Sequence, residues 1–370
     1  MQGVGSFNSG VNMNGFSFAD PEDADGILKI MEADITPGGL QLLYTRRDDP
    51  YESFLKESPE AKIGVIRADN RVVATVAAIP RKMYINGIPR RVCYVSNMKR
   101  LKDFEGYLDW HKVFKEMCGA VDCDFYFCSL LDDNEEVKRM LHKKRRYLPY
   151  AKEICDYKTY IISPKLRIRA EAYITGDIQL VRGSGDDEED IVRFLNDTGS
   201  KRDFFPVFDR LSQLGDIGTE DFCLLKREGR ILAAGALWDR SKIKQYVVKG
   251  CHGIYALLRF FNPILPYLGY IKIPADDEIA PVAFISFLLA EDDNMDYYRE
   301  LLSYMSGEAE NRYSMLVIGT DGLNAKKPLL DSLRSVSFDT QLNAIIMTNI
   351  DGRIPPECNA GGLEAECAFL

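Results

Sequence analysis

IGVIRADNRVVATVAAIPRKMYINGIPRRVCYVSNMKRLKDFEGYLDWHKVF, from Ile63 to Phe114, is the stretch whose reading decides the fold. Strand-forming residues run from Ile63 to Ile66 and, across the turn Ala68-Asp69-Asn70, from Val72 to Ile79. A second hairpin follows, Met83 to Ile85 and Val92 to Val95, across Asn86-Gly87. Asn-Gly is a strong hairpin signal because a type I′ turn needs positive φ at both central residues. Two consecutive hairpins predict at least three antiparallel strands. After Asn97 the apolar pattern becomes helical, with Val113, Phe114 and Met117 at three- and four-residue spacing behind Leu108.

Working outward, the first dozen residues are rich in Gly, Asn and Ser and read as disordered. Phe16 to Phe18 predicts a short strand, and Asp20-Pro21 opens a helix whose apolar face is Ile27, Leu28 and Met31. Residues 36–62 read as irregular, with one short helix from Tyr51 to Glu57. Downstream, Asp124 to Leu131 predicts a strand, Asn134 to Leu141 a helix and Ile154 to Ile162 a last strand. The order is strand, helix, three strands, helix, strand, helix, strand, which is one α+β unit ending near Ser163-Pro164.

The same order begins again beyond a linker. Ile178 to Val181 reads as a strand, Asp186 to Leu195 as a helix, and Phe222 to Lys226 with Arg230 to Leu237 as a hairpin turning at Glu228-Gly229. IGVIRADNRVVATVAAI from Ile63 and FCLLKREGRILAAGALW from Phe222 align without a gap at an offset of 159. The helix faces at Ile27–Met31 and Ile191–Leu195 match at an offset of 164. Phe125 to Asn134 and Met315 to Asn324 form a third pair: strand, polar turn, then Asn opening a helix. Matched elements in one order at nearly one offset point to duplication. The tail from Gly352 is rich in Pro and Gly and predicts mobility. It ends in CAFL, but Glu364 and Glu366 stand where a prenylation signal carries basic residues.

Composition narrows the class. The 370 residues are 46% hydrophobic and 28% charged, as in soluble globular proteins, and long enough for two cores. No run approaches the ~18 apolar residues of a membrane span. MQGVGSFNSG has no signal-peptide pattern, so a cytoplasmic protein with no membrane partner is expected. Nine cysteines lack CxxC pairs, and Cys118, Cys123 and Cys128 read as small core residues. Three histidines without metal-ligand spacing predict no metal site. A net charge of −9 argues against nucleic-acid binding, which neutralises phosphates with Lys and Arg.

The hairpins, the helix after them and the repeat resemble the GNAT N-acetyltransferase superfamily, over most of Phe16 to Ile162 and more faintly over Ile178 to Thr348. The resemblance implies a mixed α+β fold of two tandem GNAT-like domains, each a mostly antiparallel twisted sheet flanked by helices. The expected division is a disordered 1–14, a first domain 15–165, a linker 166–176, a second domain 177–352 and a tail 353–370. It also implies an acyltransferase that moves an acetyl or other acyl group from CoA to the amine of a small molecule or peptide.

In that superfamily a P-x-x-R-G-x-G-x-G loop before a helix holds the CoA pyrophosphate. Laid on Asn97 to Phe114, Lys102 takes the place of Pro, Glu105 of Arg, and Gly106 keeps the first glycine, while Leu108 and Trp110 replace the later two. Lys99, Arg100 and Lys102 are then the basic candidates for cofactor binding, with Gly106 and Asn134. The second half has Ala290-Glu291-Asp292-Asp293-Asn294 at this place, whose carboxylates repel phosphates. The family's acidic Tyr, seven residues after the Asn, is replaced by Leu141 and Asp331, leaving adjacent His142 as a candidate acid. Asp103 and Glu105, with Asp109 near them, are candidate bases. The same departures fit a second reading, a binding or scaffold protein built from decayed copies. A Fem-type aminoacyl transferase also pairs GNAT-like domains, but the net charge of −9 argues against the basic surface it would need.

Overall fold

In the computed structural model, residues 13–33, 35, 39–132, 135–142, 149–165, 168, 178–346 and 362–370 are described. Residues 1–12, the expected linker apart from Ile168, and residues 347–361 lie outside them. Met13 and Asn14, expected to be disordered, instead begin the first strand, which pairs along the sheet edge.

The first half runs β1 (Met13–Phe18), α1 (Ala24–Met31), β2 (Leu40–Thr45), α2 (Pro50–Glu57), β3 (Lys62–Ala68), β4 (Arg71–Ile85), β5 (Ile88–Arg100), α3 (Trp110–Ala120), β6 (Phe125–Leu131), α4 (Glu135–His142) and β7 (Tyr150–Ile162). The second runs β8 (Ile178–Arg182), α5 (Glu188–Gly199), β9 (Phe222–Arg227), β10 (Arg230–Trp238), β11 (Gln245–Cys251), α6 (Ile254–Phe260), β12 (Val282–Ala290), α7 (Met295–Ala309), β13 (Met315–Asp321), α8 (Lys327–Asp331) and β14 (Ser335–Ile346). Both expected hairpins form. Asn86 and Gly87 take φ of 52° and 73°, and the aligned turns Asp69-Asn70 and Glu228-Gly229 are likewise left-handed at both residues.

Twelve strands make one sheet in the order β1-β3-β4-β5-β6-β14-β7-β13-β12-β10-β9-β8. Only β5 with β6 and β12 with β13 pair in parallel; the other neighbours are antiparallel. Read from either edge, the strands come in matching order: β1, β3, β4, β5, β6 answer β8, β9, β10, β12, β13. The two last strands cross over at the centre, so that β14 lies between β6 and β7 while β7 lies between β13 and β14. Each half is thus completed by a strand of the other, and one sheet joins the residues on either side of Ser163-Pro164.

The duplicated helices do the same work in both halves. Ile27, Ile30 and Met31 of α1 are fully buried and pack on β4, as Ile191 and Leu195 of α5 pack on β10. The opposite face of the second half is covered by α7 through buried Leu301, Leu302 and Met305. Truncating any one of these to Ala costs about 2–5 kcal/mol in a packed core. Cys118, Cys123 and Cys128 are buried, as expected of core residues. A small sheet of β2 with β11 ties the halves together a second time.

Candidate active site

Parallel pairing of β5 with β6 lasts three residues, Val92–Tyr94 against Phe125–Phe127, and that of β12 with β13 also three, Val282–Phe284 against Met315–Val317. Each pair then parts, and a gap opens in the sheet. In both gaps the first strand carries a bulge at the same place, marked by Asn97 (φ 51°) and Phe287 (φ 56°). A non-glycine residue held at positive φ costs of order 1–3 kcal/mol, so the surroundings impose these bulges.

The two gaps differ in content. Between β12 and β13 lies the chain's own 363–369 segment. Glu366 accepts the Phe287 backbone N–H at 2.7 Å, Tyr157 donates to the Ala365 carbonyl, and the Phe369 ring meets Trp238 edge-on. Asn324 and Lys326, just before α8, hold the segment by donating to Leu363 and Glu364. Burial first, and then the neighbouring Glu364, push the Glu366 carboxyl up to about 8, with Lys326 opposing. Mobility was expected of this tail; residues 362–370 are instead nearly all buried, because two carboxylates find donors inside the gap.

The gap between β5 and β6 is spanned by two hydroxyls. Tyr94 of β5 and Ser129 of β6 meet at 2.7 Å, and burial pushes the Tyr94 phenol above its usual range. Three residues past Tyr94 on β5, the Asn97 amide is buried at both its oxygen and its nitrogen without a hydrogen-bond partner. An orphaned buried amide costs free energy and offers a ligand both N–H donors and a carbonyl acceptor.

Next to the gaps the two halves converge on a buried carboxylate. Glu57, at the end of α2, meets Arg46 at 2.9 Å, Arg81 of β4 at 3.1 Å and Arg240, just beyond β10, at 3.3 Å. Burial alone would raise its pKa, but Arg46, Arg240, Arg81 and Lys244 outweigh it and hold the carboxyl far below the ordinary range. Each cation also lies over a ring: Arg46 on Phe54, Arg81 on Phe369, Arg240 on Trp238 and Lys244 on Phe284. Arg240 and Lys244 line a small pocket with Gln245, Tyr246 and Phe284. Burial lowers the Lys244 ammonium to about 7, against the attraction of Glu57.

No family model matches the sequence, and no curated protein matches it. Solved structures do. A GCN5-related N-acetyltransferase from Sphaerobacter thermophilus superposes with a TM-score of 0.53 at 11% identity, over 94% of this chain and 99% of its own. N-myristoyltransferase of Saccharomyces cerevisiae, with bound myristoyl-CoA, gives 0.54 at 8% identity over 90% of this chain and 83% of its own. A GCN5-related N-acetyltransferase from Anabaena variabilis gives 0.51 at 10% identity, over 88% and 72%. The chain has a GNAT-like fold. Each match spans both halves, in agreement with a tandem GNAT arrangement.

The stretch expected from the sequence to hold the cofactor, residues 101–109, lies between β5 and α3. Leu101, Phe104 and Leu108 anchor it in the core, leaving Lys102, Asp103 and Glu105 exposed. Asp103 pairs with Arg71 at 3.3 Å on the surface. Gly106 serves packing: a Cβ there would stand 2.2 Å from the Phe104 ring. The N-terminus of α3 is taken by Asp109, whose carboxylate accepts the Lys112 N–H. That helix start therefore does not suit a pyrophosphate, while Arg100 is exposed and Lys99 reaches the Met31 carbonyl at 3.4 Å. Asn134 and the side chain of His142 lie outside the described residues. Among those described, no cluster of three potential metal ligands occurs, and no helix is long and apolar enough to cross a membrane.

Of the sequence candidates that are described, Lys102, Asp103, Glu105 and Gly106 share this loop and Lys99 and Arg100 end β5. Tyr94, Asn97, Ser129 and the Glu57 cluster were missed. Arg81 alone left a trace in the sequence, a charge inside the apolar run ending AAIPRKMYI.

Proposed function

We propose that this protein is a CoA-dependent N-acyltransferase whose acyl site is the gap between β5 and β6. The observation that carries this reading is the contrast between the two gaps. In the second half Glu366 accepts the bulge N–H of Phe287, which takes that donor from any acyl carbonyl. In the first half the bulge is flanked by an unsatisfied amide and by the Tyr94–Ser129 pair. These groups orient a thioester carbonyl and supply hydrogen bonds to the oxyanion that forms when an amine attacks it. Acyl-CoA fits the gap better than the helix start, so Arg100 and Lys102, exposed at the end of β5 and just beyond it, carry the phosphate contacts in this proposal. The acceptor is the amine of a small molecule or peptide.

Asp109 on the cofactor helix favours a second reading, a GNAT-like binding protein without catalysis. Calorimetric titration with acetyl-CoA and octanoyl-CoA, on the wild type and on Ser129→Phe, separates the two. Micromolar binding lost in the variant supports the acyl site. No heat from folded wild-type protein at millimolar ligand overturns it in favour of the binding protein.

A further inference from the structure

The connection from β11 to β12, residues 252–281, answers only the Asn86-Gly87 turn in the first half. Its first part is inside out. Asn262 exchanges two hydrogen bonds with the backbone of Ile273, at 2.7 and 3.0 Å, and Arg259 donates to the Pro274 carbonyl and pairs with Asp276 at 2.8 Å. The polar side chains are spent inward, as internal ties. Ile254, Leu257, Phe260, Ile264, Tyr267 and Leu268 point outward instead, Phe260 being 79% and Tyr267 73% exposed. Of the sixteen exposed large hydrophobic residues among those described, eight fall between Ile254 and Tyr270. A patch this dense on a soluble surface marks a docking site.

Its charge identifies the occupant. The chain carries 56 Asp and Glu in 370 residues, yet none between Gly253 and Pro274, where the charged residues are Arg259 and Lys272. Lys165 stands over the Tyr267 ring at 4.5 Å, and Arg334 donates to the Leu268 carbonyl and stands over Tyr270 at 5.4 Å. The nearby carboxylates are engaged in ties: Asp276 with Arg259, Asp277 with Lys249, Glu310 with Lys165, and Glu278 with the Ala275 N–H. Aromatic and aliphatic side chains on a short helix and turn, rimmed by cations and cleared of carboxylates, match the interfacial zone of an anionic bilayer. We infer that residues 254–270 dock the protein onto an anionic lipid surface. The absence of a spanning helix, which led the sequence to predict no membrane partner, does not bear on such an element.

The test is flotation of the full chain with vesicles of phosphatidylcholine containing 30% phosphatidylglycerol, compared with pure phosphatidylcholine. The wild type should float with the anionic vesicles at least tenfold more than with the neutral ones. A Phe260→Ser/Tyr267→Ser double variant should lose this while keeping its melting temperature, both side chains being exposed. Phe260→Trp should show blue-shifted emission on the same vesicles. No flotation, equal flotation with both lipids, or flotation unchanged in the double variant overturns the inference. So does a wild-type dimer, by light scattering, that the double variant converts to monomer, since a second copy then covers the patch.

Discussion

Asn97 and Phe287 hold one position in the two halves: each lies five residues beyond the first residue of parallel pairing, and each turns to positive φ. Their surroundings have diverged. Phe287 is packed among the rings of Phe208, Trp238 and Phe222, and its N–H is engaged by Glu366. Asn97 keeps a buried amide with nothing bonded to it. Strain and an unsatisfied polar group at one place support the proposed acyl site.

Replacing Asn97 with Gly should therefore stabilise the protein, by about 1 kcal/mol, because the positive φ becomes free of cost and the orphaned amide is removed. The same variant should bind acyl-CoA at least fivefold more weakly. Denaturant unfolding and calorimetric titration read the two effects separately. A variant that gains stability and keeps its affinity would show that the amide plays no part in binding.

Glu57 neutralises cations contributed by both halves, so its loss should be felt by the whole fold. Glu57→Gln leaves Arg46, Arg81 and Arg240 without their shared carboxylate and should cost about 3–5 kcal/mol, as breaking a buried ion pair does. Adding Arg46→Met should return part of that loss, since one uncompensated charge is withdrawn. The measurement is a double-mutant cycle by urea unfolding, and additive losses would count against the cluster acting as a unit.

Stability should pass through a minimum near pH 7–8. Unfolded, Glu366 titrates near 4.5; folded, near 8, so between these values the folded chain holds a proton that the unfolded chain has released. Its contribution is present below pH 4.5 and is lost as the pH rises to 8. Lys244 runs the other way: folded near 7 and unfolded near 10.5, it penalises folding below pH 7 and the penalty fades as the pH climbs to 10.5. Each limb is on the order of a few kcal/mol. Glu366→Gln should flatten the acid limb and Lys244→Met the alkaline one, in unfolding curves taken from pH 5 to pH 10. A profile that neither variant alters would contradict both assignments.

What the sequence revealed follows from how local the signals are. The hairpins were legible because Asn86-Gly87 and Asp69-Asn70 carry their own backbone preference. The duplication was legible because the apolar faces of α1 and α5 repeat. The crossing of β7 and β14 was not, since pairing Tyr157 with Thr340 spans 183 residues and two similar strands do not declare which neighbour each will take. Nor was the burial of the last residues, where Glu364 and Glu366 look solvent-directed until Lys326 and the Phe287 N–H are placed beside them. The Glu57 cluster draws single residues from positions 46, 57, 81 and 240, and no spacing rule joins them.

Gly106 shows the same limit from the other side, because a motif glycine here answers to packing. Gly106→Ala should destabilise the loop by about 1–3 kcal/mol through its clash with the Phe104 ring. Phe104→Leu in the same chain should relieve much of it. If acyl-CoA binding in that double variant equals the wild type's, the glycine has no part in holding phosphate; a loss that persists after the relief would restore the cofactor reading.

Tyr94 offers the sharpest separation of binding from stability. Tyr94→Phe keeps the ring against Phe127, with centroids 5.2 Å apart in the wild type, and removes only the hydroxyl that meets Ser129. Losing one buried hydrogen bond should cost about 1 kcal/mol of stability. A site that uses the hydroxyl pair to orient the thioester should lose far more than that in function: acyl-CoA affinity reduced at least fivefold, or acyl transfer to an amine reduced at least tenfold once an acceptor is found. Equal affinity and equal turnover in Tyr94→Phe would move the acyl site away from the gap between β5 and β6.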